Sequence, residues 1–243
     1  MKAIKCTGVA LIATLTMGAV GVATAAAEPE FKPEAGTFPI TFSSKATKKT
    51  KLITKSGNTV ECTSDESSGE VSGARLAKKV VVKFKGCKST GFISATCTTS
   101  GASSGEIRTS SLNAKPVFIN GKTGKNEERG LDLTPEATGP FAAFSCTIFG
   151  IGPTLTVENK TASENSVIGV IPAAEVGKQE SKVTITFSQS SGNQIPSEYE
   201  EPAASKHLDF LETEGTGTDG FTHEASAEEG SEELTFSGNI ELT

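Results

Sequence analysis

Gly101-Ala102-Ser103-Ser104-Gly105 has the Gly-x-Ser-x-Gly form of hydrolase nucleophiles. In that motif an apolar strand runs into a strained turn and a helix leaves it, which lifts the serine hydroxyl into the open. Here Thr98-Thr99-Ser100 precedes and Glu106-Ile107-Arg108-Thr109 follows, so neither flank has the required character. A general base would have to be His207 or His223, the only two histidines, oriented by Asp209 or Asp219. The flanks predict a surface turn, with a Ser103-based hydrolytic site as the alternative.

The other chemical motifs are incomplete. Gly215-Thr216-Gly217-Thr218-Asp219-Gly220 spells a dinucleotide fingerprint, which needs a buried strand before it and a helix N-terminus after it. Glu212 and Glu214 stand just upstream and would repel phosphate, so a loop is expected. Gly121-Lys122-Thr123 ends like a phosphate loop, but Pro116 occupies the place of the earlier glycine. His223-Glu224 begins a zinc-protease pattern, but position 227 is Ala. Asn159-Lys160-Thr161 is a glycosylation sequon. Glu198, Glu200, Glu201, Glu212, Glu214 and Asp219 could gather around calcium, but they lack the dense alternating oxygen donors that calcium takes. They predict a solvated acidic face. Paired carboxylates for glycoside hydrolysis could be drawn from many glutamates, so that pattern selects nothing. No catalytic, cofactor or metal residue is assigned.

Beyond the leader, four cysteines remain: Cys62, Cys87, Cys97 and Cys146. Zinc is disfavoured, because no Cys-x-x-Cys pair exists. An even number in an exported chain predicts two disulfides, and three pairings are possible. Cys87–Cys97 would close a short hairpin around Gly86 and Gly91. Cys62–Cys146 would then join similar settings, Val60-Glu61-Cys62-Thr63 and Phe144-Ser145-Cys146-Thr147. That pairing is the expectation.

The elements that must carry these residues are strands. Phe38, Ile40 and Phe42 alternate with polar residues, as do Val80, Val82 and Phe84, and Leu155 and Val157. Val183, Ile185 and Phe187 repeat the pattern, and Leu234, Phe236, Ile240 and Leu242 close it. Period two places successive side chains on opposite sheet faces, one buried and one wet. Threonine suits the wet face. Turn chemistry separates the runs at Ser56-Gly57-Asn58, Ser67-Ser68-Gly69, Ser100-Gly101, Asn120-Gly121 and Ser190-Ser191-Gly192-Asn193. The expected fold is all-β: an antiparallel sandwich or barrel-like body with two disulfides and at most one short helix. That helix would run from Pro202 to about Glu212, with Leu208 and Leu211 on one face. Gly215 to Glu233 reads as a long acidic loop.

Met1, Lys2 and Lys5 precede an uncharged, largely apolar run that ends in Ala23-Thr24-Ala25-Ala26-Ala27. This is the pattern of a secretory signal peptide, with cleavage near Ala27 and no membrane span thereafter. Residues 28–243 would form a β-rich domain, or two packed sub-domains dividing near 112–140. Loss of the leader's two lysines takes the formal charge from −6 to −8. A negative chain with one tyrosine and no tryptophan is poorly suited to nucleic acid. Lysines gather at 45–55 and 78–88, whereas residues 198–233 are acidic with the single Lys206.

Several blocks recur together: Gly57-Asn58-Thr59-Val60-Glu61-Cys62-Thr63-Ser64, Gly69-Glu70-Val71-Ser72-Gly73, Val82-Lys83-Phe84-Lys85-Gly86-Cys87, and Ala95-Thr96-Cys97-Thr98-Thr99-Ser100-Gly101. Gly130-Leu131-Asp132-Leu133-Thr134-Pro135, Phe144-Ser145-Cys146 and Phe187-Ser188-Gln189-Ser190-Ser191-Gly192-Asn193-Gln194 complete the order. Over residues 50–243 the chain resembles exported, cysteine-containing, β-rich hypothetical proteins of soil actinobacteria. The resemblance implies export and a shared fold, and it carries no activity. The expected function is therefore a secreted, non-catalytic β protein that binds an extracellular or envelope partner or forms part of a surface, without a cofactor. A secreted hydrolase built on scattered carboxylates or Ser103 is the alternative, and a carrier with a hydrophobic cavity inside a barrel is a third reading.

Overall fold

A computed structural model describes residues 28–90, 94–120, 128–158, 166–200, 206–216 and 223–243. The expected leader lies outside these residues, as do Gly121-Lys122-Thr123, Asn159-Lys160-Thr161, Glu201 and Asp219.

The described residues form twenty strands. The first seven are β1 (Phe31–Pro33), β2 (Ile40–Ala46), β3 (Thr50–Thr54), β4 (Thr59–Cys62), β5 (Ser64–Gly73), β6 (Leu76–Lys85) and β7 (Lys88–Thr90). Then come β8 (Thr96–Thr98), β9 (Ile107–Arg108), β10 (Leu112–Asn120), β11 (Glu128–Pro135), β12 (Ala142–Thr147), β13 (Thr154–Glu158) and β14 (Val167–Ile171). The last six are β15 (Glu180–Ser190), β16 (Asn193–Ile195), β17 (Glu198–Glu200), β18 (Lys206–Leu208), β19 (Leu211–Thr216) and β20 (Glu224–Leu242). Every pairing is antiparallel, as single-face burial requires.

Two closed rings emerge from these pairings. In the first, β20, β2, β5, β6, β10, β11, β14 and β15 pair in turn, and β15 returns to β20. In the second, β20, β3, β4, β7, β8, β12, β13 and β19 do the same. Both rings thus have eight strands and share β20, whose first residues serve the second ring and whose later residues serve the first. Closure removes open sheet edges, which would otherwise invite pairing with other chains. The all-β, barrel-like expectation holds.

Alternation explains the core. Ile40, Phe42 and Ser44 of β2 point inward, with Val71, Val80, Val82, Leu112, Leu133, Ile185, Leu234 and Phe236. Phe42 and Phe236 stand opposite each other in register, ring centroids 5.7 Å apart. One continuous set of buried apolar side chains fills both rings. A smaller set, Val117, Ile119, Ile168 and Tyr199, packs outside the first ring beneath the β17–β18 hairpin. The lysine-rich start meets the acidic end on the surface: Lys45 faces Glu233, and Lys51 lies 3.8 Å from Glu229.

Three local expectations are corrected. Lys206–Leu208 and Leu211–Thr216 are strands, so the described part of the Pro202–Glu212 helix does not form. Leu211 is 2% exposed and Leu208 62%, so they share no face; Leu211 and Thr213 are instead buried while Glu212 and Glu214 alternate with them. Within the expected acidic loop, Thr216 and earlier belong to β19 and Glu224–Glu233 belong to β20. Cross-strand pairing on both sides overrides the local acidity. Ser67-Ser68-Gly69 is strand, not turn, because Gly69 lets the Phe42 ring approach: a Cβ there would come 2.7 Å from that ring. The turns at Ser56-Gly57-Asn58 and Ser100-Gly101 form as expected. In the β15–β16 hairpin, Ser191 and Gly192 both take positive φ, the geometry of a two-residue hairpin loop.

The cysteine pairing is also corrected. The bonds are Cys62–Cys87 and Cys97–Cys146, with Cα–Cα distances of 4.0 and 3.9 Å. Strands β4, β7, β8 and β12 lie side by side; Cys62, Cys97 and Cys146 sit on β4, β8 and β12, and Cys87 immediately precedes β7 in the same row. Cys97 stands directly opposite Cys146 in register. Cys87 and Cys97 do lie across a hairpin, but the Cys97 amide donates to the Cys87 carbonyl at 3.0 Å. Such hydrogen-bonded neighbours hold their side chains farther apart than non-hydrogen-bonded ones. Cys62 and Cys146 end the row, about three strand spacings or ~14 Å apart, beyond the reach of a disulfide.

Where β4 passes into β5, Thr63 donates its amide and its hydroxyl to the Lys85 carbonyl, at 2.9 and 3.0 Å. Gly86 lies across from it with φ +64°, and a Cβ there would strike the Thr63 hydroxyl. Gly86→Ala therefore meets both an unfavourable backbone conformation and a collision. We expect it to lower stability by roughly 2 kcal/mol, read from the urea midpoint. An unchanged midpoint would contradict this account of the junction.

Among the described residues, no helix is long and apolar enough to cross a membrane.

Candidate functional site

Ser103 sits in an exposed turn, where its carbonyl accepts the Glu106 amide at 2.9 Å. The histidines are engaged elsewhere. His207 stacks on Tyr199 at 5.0 Å between centroids, and His223 lies 2.9 Å from Glu212. Asp209, expected to orient a base, is fully buried and accepts the Ser166 hydroxyl at 2.6 Å and the Ile168 amide at 3.2 Å. Burial pushes its carboxyl up to about 7 against those two hydrogen bonds. It ties the chain before β19 to β14. Ser103, His207, His223 and Asp209 are thus not brought together. The acidic residues are also dispersed: Glu198 pairs with Lys206 on the β17–β18 hairpin, and Glu212 lies on the second ring. No group of His, Cys, Asp and Glu among the described residues is arranged to hold a metal ion.

The structure draws attention to the interior instead. A space of about 310 Å³ opens at the end of the second ring, within the usual range for small-molecule pockets. Its walls include Leu52, Val60, Ile148, Leu155 and Pro153, with Thr54 and Thr213 among the polar members. Beside it, the tip of the β12–β13 hairpin exposes Phe149 and Ile151 almost completely.

Behind the mouth lies an inner cavity of about 60 Å³. Leu52 and Val60 line both spaces. Phe84, Ile107, Phe144, Val157 and Leu211 enclose it, and Glu228 projects into it. A third space of about 40 Å³ inside the first ring shares Phe84, Thr109, Phe141 and Glu228 with it. The interior is therefore a row of spaces running from the mouth of the second ring into the first.

Glu228 stands where the two inner spaces meet, Glu232 lines the third space, and Asp65 lies buried nearby. Glu228 and Glu232 fall on the inward face of β20, in step with Leu234 and Phe236, and Asp65 comes from β5. Thr50 donates its hydroxyl to Asp65, Ser44 donates to Glu232, and Ser44 lies 2.6 Å from Ser67. Burial, and then the neighbouring Asp65, push the Glu232 carboxyl up to about 7. Burial also raises Asp65, against the hydrogen bonds from Thr50 and Glu232. Two buried carboxyls this near favour a state in which a proton is retained between them, because like charges disfavour double ionisation. Burial raises Glu228 well above the ordinary range, and Glu232 and Asp65 raise it further.

Sequence reasoning missed this trio. Its signal was present: Glu228, Gly230 and Glu232 continue the even-numbered inward series of Leu234 and Phe236. The reading of 215–233 as a loop concealed that.

Compared with protein families, with curated proteins and with solved structures, the chain matches none.

Proposed function

We propose that the protein is an exported, non-catalytic binding protein that takes a small, largely apolar ligand into the open end of its second ring. The observation that supports this most is the mouth of about 310 Å³ with an apolar space behind it. Well-packed protein interiors hold few voids larger than a water molecule, so several adjoining spaces are unusual for a purely structural barrel. The two disulfides border the site, since Cys62 lines the inner cavity and Cys146 the mouth. They hold the wall while the space stays open, and disulfides suit an oxidising compartment. The scattered positions of Ser103, His207 and His223 lend no support to a serine-based hydrolase.

Titration with n-hexanol, followed residue by residue in amide NMR spectra, tests this reading. Saturable shifts are expected at Leu52, Val60 and Leu155. Val60→Phe, checked for an unchanged fold in the same spectra, should weaken them at least tenfold, because its ring enters both spaces. Absence of saturable shifts, or shifts confined to the Phe149 tip, would remove the proposal.

A further inference from the structure

Glu228 lies opposite Leu52 across β20 and β3. It is half-buried and lines the inner cavity. Among the described residues no hydrogen-bond donor or cation engages the carboxyl; the bond at this residue runs instead from its backbone amide to Gln194 at 3.2 Å. A buried carboxyl without a partner is costly, and native structures retain few such groups without a function.

Its surroundings are one-sided in charge. Glu232 of the same strand and Asp65 of β5 are the titratable groups that act on it. Lys51 of β3 is among the lining residues, and its ammonium pairs with Glu229. The members from β4, β6, β9, β12, β13 and β19 carry no charge: Val60, Phe84, Ile107, Phe144, Val157 and Leu211. An anionic head group entering here would meet the Glu228 carboxyl, with Glu232 and Asp65 acting from nearby. A neutral hydroxyl would gain one hydrogen bond. A primary ammonium would gain a charge-assisted bond in dry surroundings, and in its compact form it fits a cavity with room for about four water-sized groups.

We infer that Glu228 is the head-group site of the second ring, and that the ligand is a cationic amphiphile whose primary ammonium pairs with Glu228 while its apolar chain lies in the mouth. The inference rests on the binding function proposed above and specifies its ligand class. Burial and the neighbouring Glu232 and Asp65 favour the protonated form of Glu228 in the empty cavity. Entry of the ammonium converts the carboxyl to carboxylate, so one proton leaves for each ligand bound. Affinity therefore rises with pH, by up to tenfold per unit, until the empty-state carboxyl itself ionises.

Titration calorimetry of the full chain with hexylammonium, n-hexanol and hexanoate, at about pH 6 and pH 8, tests this. At pH 8 hexylammonium should bind at least tenfold more tightly than hexanol, and hexanoate more weakly than either. Paired buffers of different ionisation enthalpy should report about one proton released per hexylammonium. In Glu228→Gln the ammonium-to-alcohol ratio should fall to about one. Equal binding of amine and alcohol to the native chain, preferential binding of hexanoate, absence of proton release, or a ratio that survives Glu228→Gln would each overturn the inference while leaving the binding reading intact. Failure of all three probes to bind would overturn both. The proton count on the native chain decides the matter even if the variant does not fold.

Discussion

Replacing Cys97 and Cys146 together by alanine should lower the unfolding free energy by about 4 kcal/mol. The bond closes a loop of 49 residues, and the chain-entropy cost of opening it in the unfolded state is of that order. The same treatment of Cys62 and Cys87, which close 25 residues, should cost about 3.5 kcal/mol. The structure adds a local reason. β7 and β8 have three residues each, and a single register pair, Lys88 with Thr96, joins them. A hairpin so short holds its place in the ring through its flanks. Cys62–Cys87 clips it to β4, and Cys97–Cys146 clips it to β12. Guanidinium denaturation measures the loss, and hydrogen exchange should show the β7–β8 amides opening first in either double variant. Peptide mapping under non-reducing conditions should recover Cys62 joined to Cys87. A Cys87–Cys97 link, or a loss below about 1 kcal/mol, would refute this account.

Stability should fall as pH rises from about 5 to 8, the reverse of the usual behaviour of salt-bridged carboxylates. The sign follows from proton counting. Glu232 titrates near 7 in the folded chain but at the ordinary glutamate value of 4.5 when unfolded. Between those values the folded state keeps a proton that the unfolded chain has released, so each step up in pH favours unfolding. A shift of that size is worth about 3 kcal/mol at most. Asp209, also raised to about 7, acts in the same direction. Glu232→Gln removes the titration and keeps the contacts: its amide oxygen can accept the Ser44 hydroxyl, and its amide nitrogen can donate to Asp65 Oδ1, which lacks a conventional donor. The variant should therefore melt about 6–12 °C higher than the native chain at pH 8 and close to it at pH 5. Melting curves across that range provide the check. A native chain that is more stable at pH 8 than at pH 5, or a variant with the same gain at both, would show that these carboxyls are already ionised in the folded state.

Much of the fold was legible in the residues. Ile40 and Phe42, Val80 and Val82, Val183 to Phe187, and Leu234 to Leu242 announce strands by alternation alone, since the pleat turns each successive side chain over. Hairpin loops such as Ser191-Gly192 are equally local, because positive φ demands particular residues. The even cysteine count predicted two bridges for chemical reasons that need no coordinates.

What escaped is non-local. Lys206–Leu208 becomes a strand because β17 offers it hydrogen bonds, and Glu224–Glu233 because neighbours on both sides do. Acidic composition argues against burial only while the chain is considered alone; within a closed ring burial raises the carboxyls of Glu228 and Glu232, which favours their neutral forms. The partner of Cys87 depends on which strand lies beside β7, and that is settled when β20 closes two rings at once. The cavity depends likewise on curvature, which no single segment encodes. Side-chain period, turn geometry and thiol number are properties of neighbours along the chain, so the sequence by itself determined them. Strand order, cysteine pairing across 25 and 49 positions, and the meeting of Asp65 with Glu228 and Glu232 across more than a hundred and sixty depend on residues far apart in the chain, and only the tertiary structure could decide them.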